Sequence, residues 1–114
     1  VQPDIHHWVT TGTGFDGYKI MRGFGIVRGI TCRSRSAFGQ MGASIQQIFG
    51  GNITLYTQLA EQARVEAYEL MMQHAIQTGA NAVIGMRYDA TELVPGVTEV
   101  IAYGTAVFIT PIAD

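Results

Sequence analysis

The run VTEVIAYGTAVFIT, residues 97–110, is the most β-prone in the chain, and its two parities set the fold problem. A strand points alternate side chains to opposite faces. One parity holds Val97, Glu99, Ile101, Tyr103, Thr105, Val107 and Ile109. The other holds Thr98, Val100, Ala102, Gly104, Ala106 and Phe108. Both sets are mostly apolar, so the strand asks for cover on two sides. Ala102, Gly104 and Ala106 are small enough to admit a close-packed helix. The parity with Ile101, Val107 and Ile109 is left for the 36–52 segment or for another copy of the chain.

Upstream lies the helix that this argument needs. Residues 54–78, TLYTQLAEQARVEAYELMMQHAIQT, place Leu55, Leu59, Ala63, Ala67, Leu70 and His74 at helical spacing, and Tyr56, Ala60, Met71 and Ala75 widen the stripe. Thr54 is the expected N-cap and Gly79 the expected residue just past the end. Residues 81–93, NAVIGMRYDATEL, read as a strand. Pro95-Gly96 reads as a turn into the final strand.

Before the helix, residues 18–35 read as a long strand or two strand segments. Gly23, Gly25 and Gly29 there predict bulges or close backbone approach. Residues 1–6 read as a loose terminus, 7–11 (HWVTT) as a short strand and 12–17 (GTGFDG) as a turn. Gly42 to Phe49 reads as a short helical turn. The whole chain is expected to be one α+β domain, 1–114. Its sheet is largely antiparallel, with one face under a single helix.

Composition bears on the second face. Charged residues make up 14% of the 114 residues, against about 25% in an average soluble domain. A small domain has much surface, and few charges are available here to cover it. Self-association is therefore expected. The net charge of −2, with Lys19 the only lysine, argues against nucleic-acid binding. Cys32 is the only cysteine, which excludes an intrachain disulfide or a Cys-x-x-Cys site and fits a reducing compartment. No apolar run approaches the ~20 residues of a membrane span and no signal peptide is visible. The expected setting is cytoplasmic, without membrane contact.

The stretch GIVRGITCRSR, residues 25–35, holds three of the seven Lys and Arg residues. Arg28 shares its parity with Ile26, Ile30 and Cys32. Arg33 and Arg35 share theirs with Val27, Gly29 and Thr31. An arginine on an apolar face needs a partner, because an unpaired buried charge costs several kcal/mol. Glu99 is the expected carboxylate, within the sheet or across a subunit interface, and Arg87 with Asp89 is a second expected pair. The functional alternative is an anion site built from Arg28, Arg33 and Arg35. A further alternative is an enzyme using Glu99 as an acid–base beside Arg28.

Other motifs carry less chemistry. Gly12-Thr-Gly14-Phe-Asp-Gly17 matches G-x-G-x-x-G, but the dinucleotide fingerprint needs a helix to follow, and Tyr18-Lys19-Ile20-Met21 reads as strand. A glycine-rich turn is the expected outcome. His6 and His7 are adjacent and diverge. Cys32 and His74 are weak metal candidates. A histidine on a helix stripe is more often hydrogen-bonded packing than a ligand, and a strand cysteine is more often inert. Met71 and Met72 read as core.

Taken in order, GIVRGITCRSR, GGNITLYTQLAEQARVEAYELM, GANAVIGMRYD and TEVIAYGTAV resemble the YbjQ-like family of small proteins of unknown function. The resemblance spans most of Gly25 to Val107. It implies a dodecin-like β-α-β-β subunit with its last strand in the middle of the sheet, assembled into a homopentameric ring. The family carries a heavy-metal-binding label resting on distant similarity, which implies a divalent ion or a small ligand at subunit interfaces. Matching family positions are Arg28, Gly29, Arg33, Ser34, Gly50, Gly51, Tyr56, Arg64, Asn81, Asp89, Glu99, Tyr103 and Gly104. The family's usual residue at position 32 is aliphatic, so Cys32 is a departure. Arg28, Arg33, Arg35, Glu99 and Tyr103 are the resulting ligand or interface candidates, in a binding or scaffold protein rather than an enzyme.

Overall fold

The computed structural model describes residues 8–34 and 52–113, with the side chains of 52–56 left aside. The elements are β1 (Tyr18–Ser34), α1 (Asn52–Thr78), β2 (Ala82–Val94) and β3 (Val97–Pro111). The expected helical turn at 42–49, the terminus 1–6, and Arg35, Gly50 and Gly51 lie outside the described residues. The strand order is β1-β3-β2, both pairings antiparallel, so the last strand is central as expected. The fold is α+β: among the described residues, an open three-stranded sheet with one helix.

The β2–β3 hairpin turns at Pro95-Gly96, where Gly96 has φ 83°, the positive value that the second central residue of a Pro-Gly turn requires. α1 opens at Asn52, two residues before the expected cap, so Thr54 is inside the helix rather than at its boundary. Its end matches the expectation. Gly79 has φ 92° and its N–H donates to Ile76 O at 3.0 Å.

α1 lies on the face formed by Val27, Gly29 and Thr31 of β1 and Val100, Ala102, Gly104 and Ala106 of β3. The helix line meeting the sheet is Ala63, Ala67, Met71 and Ala75, with Met72 also buried. Leu70, expected in the buried stripe, is 43% exposed instead. The reason is closeness. A side chain on Gly29 would run into the backbone of Ala67 and Met71 and the Cβ of Leu70. Backbone meets backbone along a seam where alanine fits and leucine does not, so the helix turns its alanines inward. Of the three glycines expected to mark bulges or close approach, Gly29 is the close approach. Gly23 and Gly25 flank a register shift, with Gly25 at φ 92°. Gly104 is packed tightly too: an added Cβ would lie 2.6 Å from Val83 Cγ1.

Among the described residues, the opposite face is covered at one end, by the chain itself. Trp8, Phe15, Tyr18 and Ile84 pack on Ala82, Val107 and Ile109, with Trp8 edge-on to both Phe15 and Tyr18. Val107 and Ile109 therefore do not wait for the 36–52 segment or another copy. The expected strand at 7–11 reduces to one parallel bridge, Val9 to Val83. The 12–17 run is a turn, with Gly17 at φ 79° and β1 rather than a helix following it. This arrangement lacks the helix N-terminus that a dinucleotide would need.

Candidate functional site

Beyond the Trp8 cluster, no described residue outside the sheet packs on the face away from α1, and cross-strand register sorts its side chains into rows. Arg28 of β1 lies opposite Tyr103 of β3, and Tyr103 opposite Arg87 of β2. The next row is Ile30, Ile101 and Asp89. The third is Cys32, Glu99 and Thr91. Ile26 at 72% and Ile30 at 39% are exposed, whereas Ile101, Tyr103 and Glu99 on the central strand are half-buried.

Register separates Arg28 from Glu99 by two rows, and they form no ion pair. Within the sheet, the expected Arg28–Glu99 bridge is therefore not formed. The strand parities were right, but the register between strands decides who meets whom. Arg87 and Asp89 are likewise not a pair. Arg87 Nη1 donates to Thr11 O and Met86 O, each at 2.8 Å, while Asp89 Oδ1 accepts from the Ala90 N–H at 2.8 Å.

Arg33 lies on the other side of the sheet, under the helix. Its Nη2 pairs with Glu66 Oε2, and its Nη1 donates to Thr31 Oγ1 at 2.8 Å and Cys32 O at 3.2 Å. Thr31 Oγ1 in turn donates to Glu66 Oε2 at 3.3 Å. The hydrogen bond from Arg33 holds the Glu66 carboxyl below its ordinary range, against the opposing pull of desolvation. Arg33 is thus partnered within the chain, and its guanidinium is largely committed. It also lines an open groove of about 320 Å³ at the hairpin tip, with Glu92, Pro95, Gly96 and Thr98. Nothing local in the sequence sets Glu66 apart from the other helix carboxylates. Its neighbour Ala67, which sits on Gly29, is what brings it within reach of Arg33.

His74 Nδ1 accepts the backbone N–H of Arg28 at 3.2 Å, which puts its ring proton on Nε2. This is the half-buried, hydrogen-bonded role expected of a histidine there. Cys32 is exposed on the bare face. Among the described residues no three His, Cys, Asp or Glu side chains converge on a point that could hold a metal ion. A heavy metal needs three or four convergent donors. Here the single thiol has one carboxylate, Glu99, across from it, and the histidine has one nitrogen already engaged. The described donor set does not fit a resident metal centre within one subunit.

Fold and site together define a small α+β protein whose described residues dress one sheet face with the helix and leave the other half bare, with apolar rows edged by charge. The profile of the YbjQ-like family, described as "Putative heavy-metal-binding", matches residues 7–110. The chain is 59% identical to a UPF0145 protein of Solibacter usitatus over 93% of its length and 95% of the relative's. It is 60% identical to a UPF0145 protein of Burkholderia thailandensis over 87% and 89%. The chain belongs to this YbjQ-like, UPF0145 family. A solved structure from Pediococcus pentosaceus, a protein of unknown function of the DUF74 family, aligns with TM-score 0.53 at 18% identity, covering 90% of this chain and 97% of that one. At that identity the likeness speaks for the fold. Among the described residues no helix is long and apolar enough to cross a membrane.

Proposed function

We propose that this chain is the subunit of a homo-oligomer, a homopentameric ring in which neighbouring copies cover the bare sheet face. It acts as a binding or scaffold module rather than an enzyme, with a small ligand or metal ion held between subunits. The observation behind this reading is the contrast in Ile26 and Ile30. They are exposed on a continuous face whose central strand, with Ile101 and Tyr103, is already half-buried. Contiguous apolar surface of this kind marks interaction sites. The family description supports an ion as ligand, and the lack of three converged donors in the described part of one subunit favours a site completed by more than one copy. The groove lined by Arg33, Glu92 and Thr98 is the alternative place for a small organic ligand, at the lower end of ligand-pocket size. A reducing cytoplasmic setting suits the exposed thiol of Cys32.

Native mass spectrometry of the full chain tests the reading. The expected result is a species at five times the 12.4 kDa subunit mass, with calorimetric titration of Zn²⁺ or Cd²⁺ giving saturable heat on the assembled form. A particle of single-subunit mass at all concentrations overturns it.

A further inference from the structure

Building on the assembly just proposed, we infer that its copies join edge to edge, Arg28 of one with Asp89 of the next, so that closing the ring turns the bare sheet faces inward on one another. Strand order leaves β1 and β2 as the two sheet edges. The first part of β2 is occupied by the chain's own N-terminal segment. The Thr10 N–H donates to Val83 O, the Met86 N–H to Thr10 O and the Gly85 N–H to Gly12 O, at 2.8–3.0 Å. From Tyr88 to Val94 no such pairing with the described residues exists, and Leu93 and Val94 are both more than half exposed. On β1 the outward N–H of Arg28 is taken by His74. In an antiparallel ladder, alternate residues point the same way. The N–H groups of Ile30 and Cys32 therefore face the open edge.

The two edges carry opposite charge. β1 bears Lys19, Arg22, Arg28 and Arg33, the last paired with Glu66, whereas the open part of β2, from Tyr88 onward, bears Asp89 and Glu92 and no cation. Arg28 and Asp89 lie on the same bare face. Within one chain β3 stands between them, so they are roughly 12 Å apart across two strand spacings and one row. Among the described residues neither has an ion-pair partner; the Asp89 carboxylate accepts the adjacent Ala90 N–H. When the β1 edge of one copy lies beside the β2 edge of another, the two become neighbours. They are offset by one row, since Arg28 is level with Tyr103 and Asp89 with Ile101. A stagger of that kind is what closing a sheet requires. The fit is of unlike edges, which is the heterologous contact that generates rings. Both halves of it are on this one molecule, which is why the occupant is a second copy rather than a foreign partner. The contact answers what Arg28 is for, since the described residues of its own chain supply it no carboxylate.

Charge reversal tests it. Full-length R28D, D89R and the double swap R28D/D89R are compared with the unmodified protein by native mass spectrometry and sedimentation across subunit concentration, with circular dichroism as a check on folding. Each single reversal is expected to raise the dissociation midpoint by about tenfold or more, because it sets like charges against each other. The double swap is expected to recover most of that loss, which also shows that the substitutions leave the subunit folded. If the unmodified protein assembles and the single reversals do not weaken it, or the double swap fails to recover it, the pairing is wrong while the assembly stands. If the unmodified protein never assembles, the proposed function itself falls.

Discussion

The two faces of the sheet are built from the same three strands and behave as different materials. Under α1 the strand residues are small, and helix and sheet touch at backbone distance across Gly29. On the other side, β-branched Ile26 and Ile30 stand in solvent beside Arg28 and Cys32. The difference teaches that apolar content alone does not make a core. What the helix covers is the parity whose side chains let it approach. The bulkier parity is left with whatever the N-terminal segment reaches, namely Val107 and Ile109.

The largest test of this contrast is truncation on each side. Met71→Ala removes a fully buried side chain and is expected to cost about 2–5 kcal/mol in denaturant unfolding. Ile30→Ala, on the bare face, is expected to cost less than about 1 kcal/mol when measured at dilutions where assembly contributes nothing. Equal losses would break the distinction between the faces.

A finer test uses glycines. Gly29→Ala drives a methyl into the helix backbone and is expected to destabilise by about 1–3 kcal/mol. Gly23→Ala has nothing within 4 Å of the new methyl and no positive φ. It is expected to be neutral or slightly stabilising, by up to about 1 kcal/mol, through the unfolded chain. Thermal melts of the pair measure how closely the helix is seated.

Charge gives a smaller effect. The Glu66 carboxyl is depressed below its ordinary value of 4.5 by Arg33. Its contribution to stability is therefore complete above the unfolded-state value, and is lost as pH falls through the folded one. Glu66 is only half-covered, so the loss is modest. Melting temperature followed from neutral to acidic pH should drop less steeply in Glu66→Gln than in the unmodified protein. Smallest of all is a spectroscopic signature. Partial burial raises the Tyr88 phenol above the ordinary value of 10, an effect eased by Arg64, whose guanidinium lies 5.4 Å from the ring centroid. The difference in alkaline absorbance titration between the unmodified protein and Tyr88→Phe should show one phenol ionising late.

Much of the fold was legible because its signals are local. Alternation in 97–110, the helical spacing of 54–78, the Pro95-Gly96 turn and the glycines of β1 each report on a few neighbouring residues, and each corresponds to an observed feature. The site was less legible. Arg28 and Glu99 were correctly given the same face, yet a two-row offset keeps them apart. Arg33 found Glu66, a residue with nothing in its own neighbourhood to distinguish it from the other helix carboxylates.

By itself the sequence determined which elements form, their order, and that both sides of the central strand are oily, because these follow from side-chain periodicity and backbone preference along the chain. Only the tertiary structure decided which line of the helix meets the sheet, which end of the far face the N-terminal segment covers, and which arginine has a carboxylate. Those outcomes turn on register and helix rotation. Two rows along a strand, which is four residues, move a side chain by roughly 13 Å. That is farther than an ion pair reaches, and composition and spacing carry no record of it.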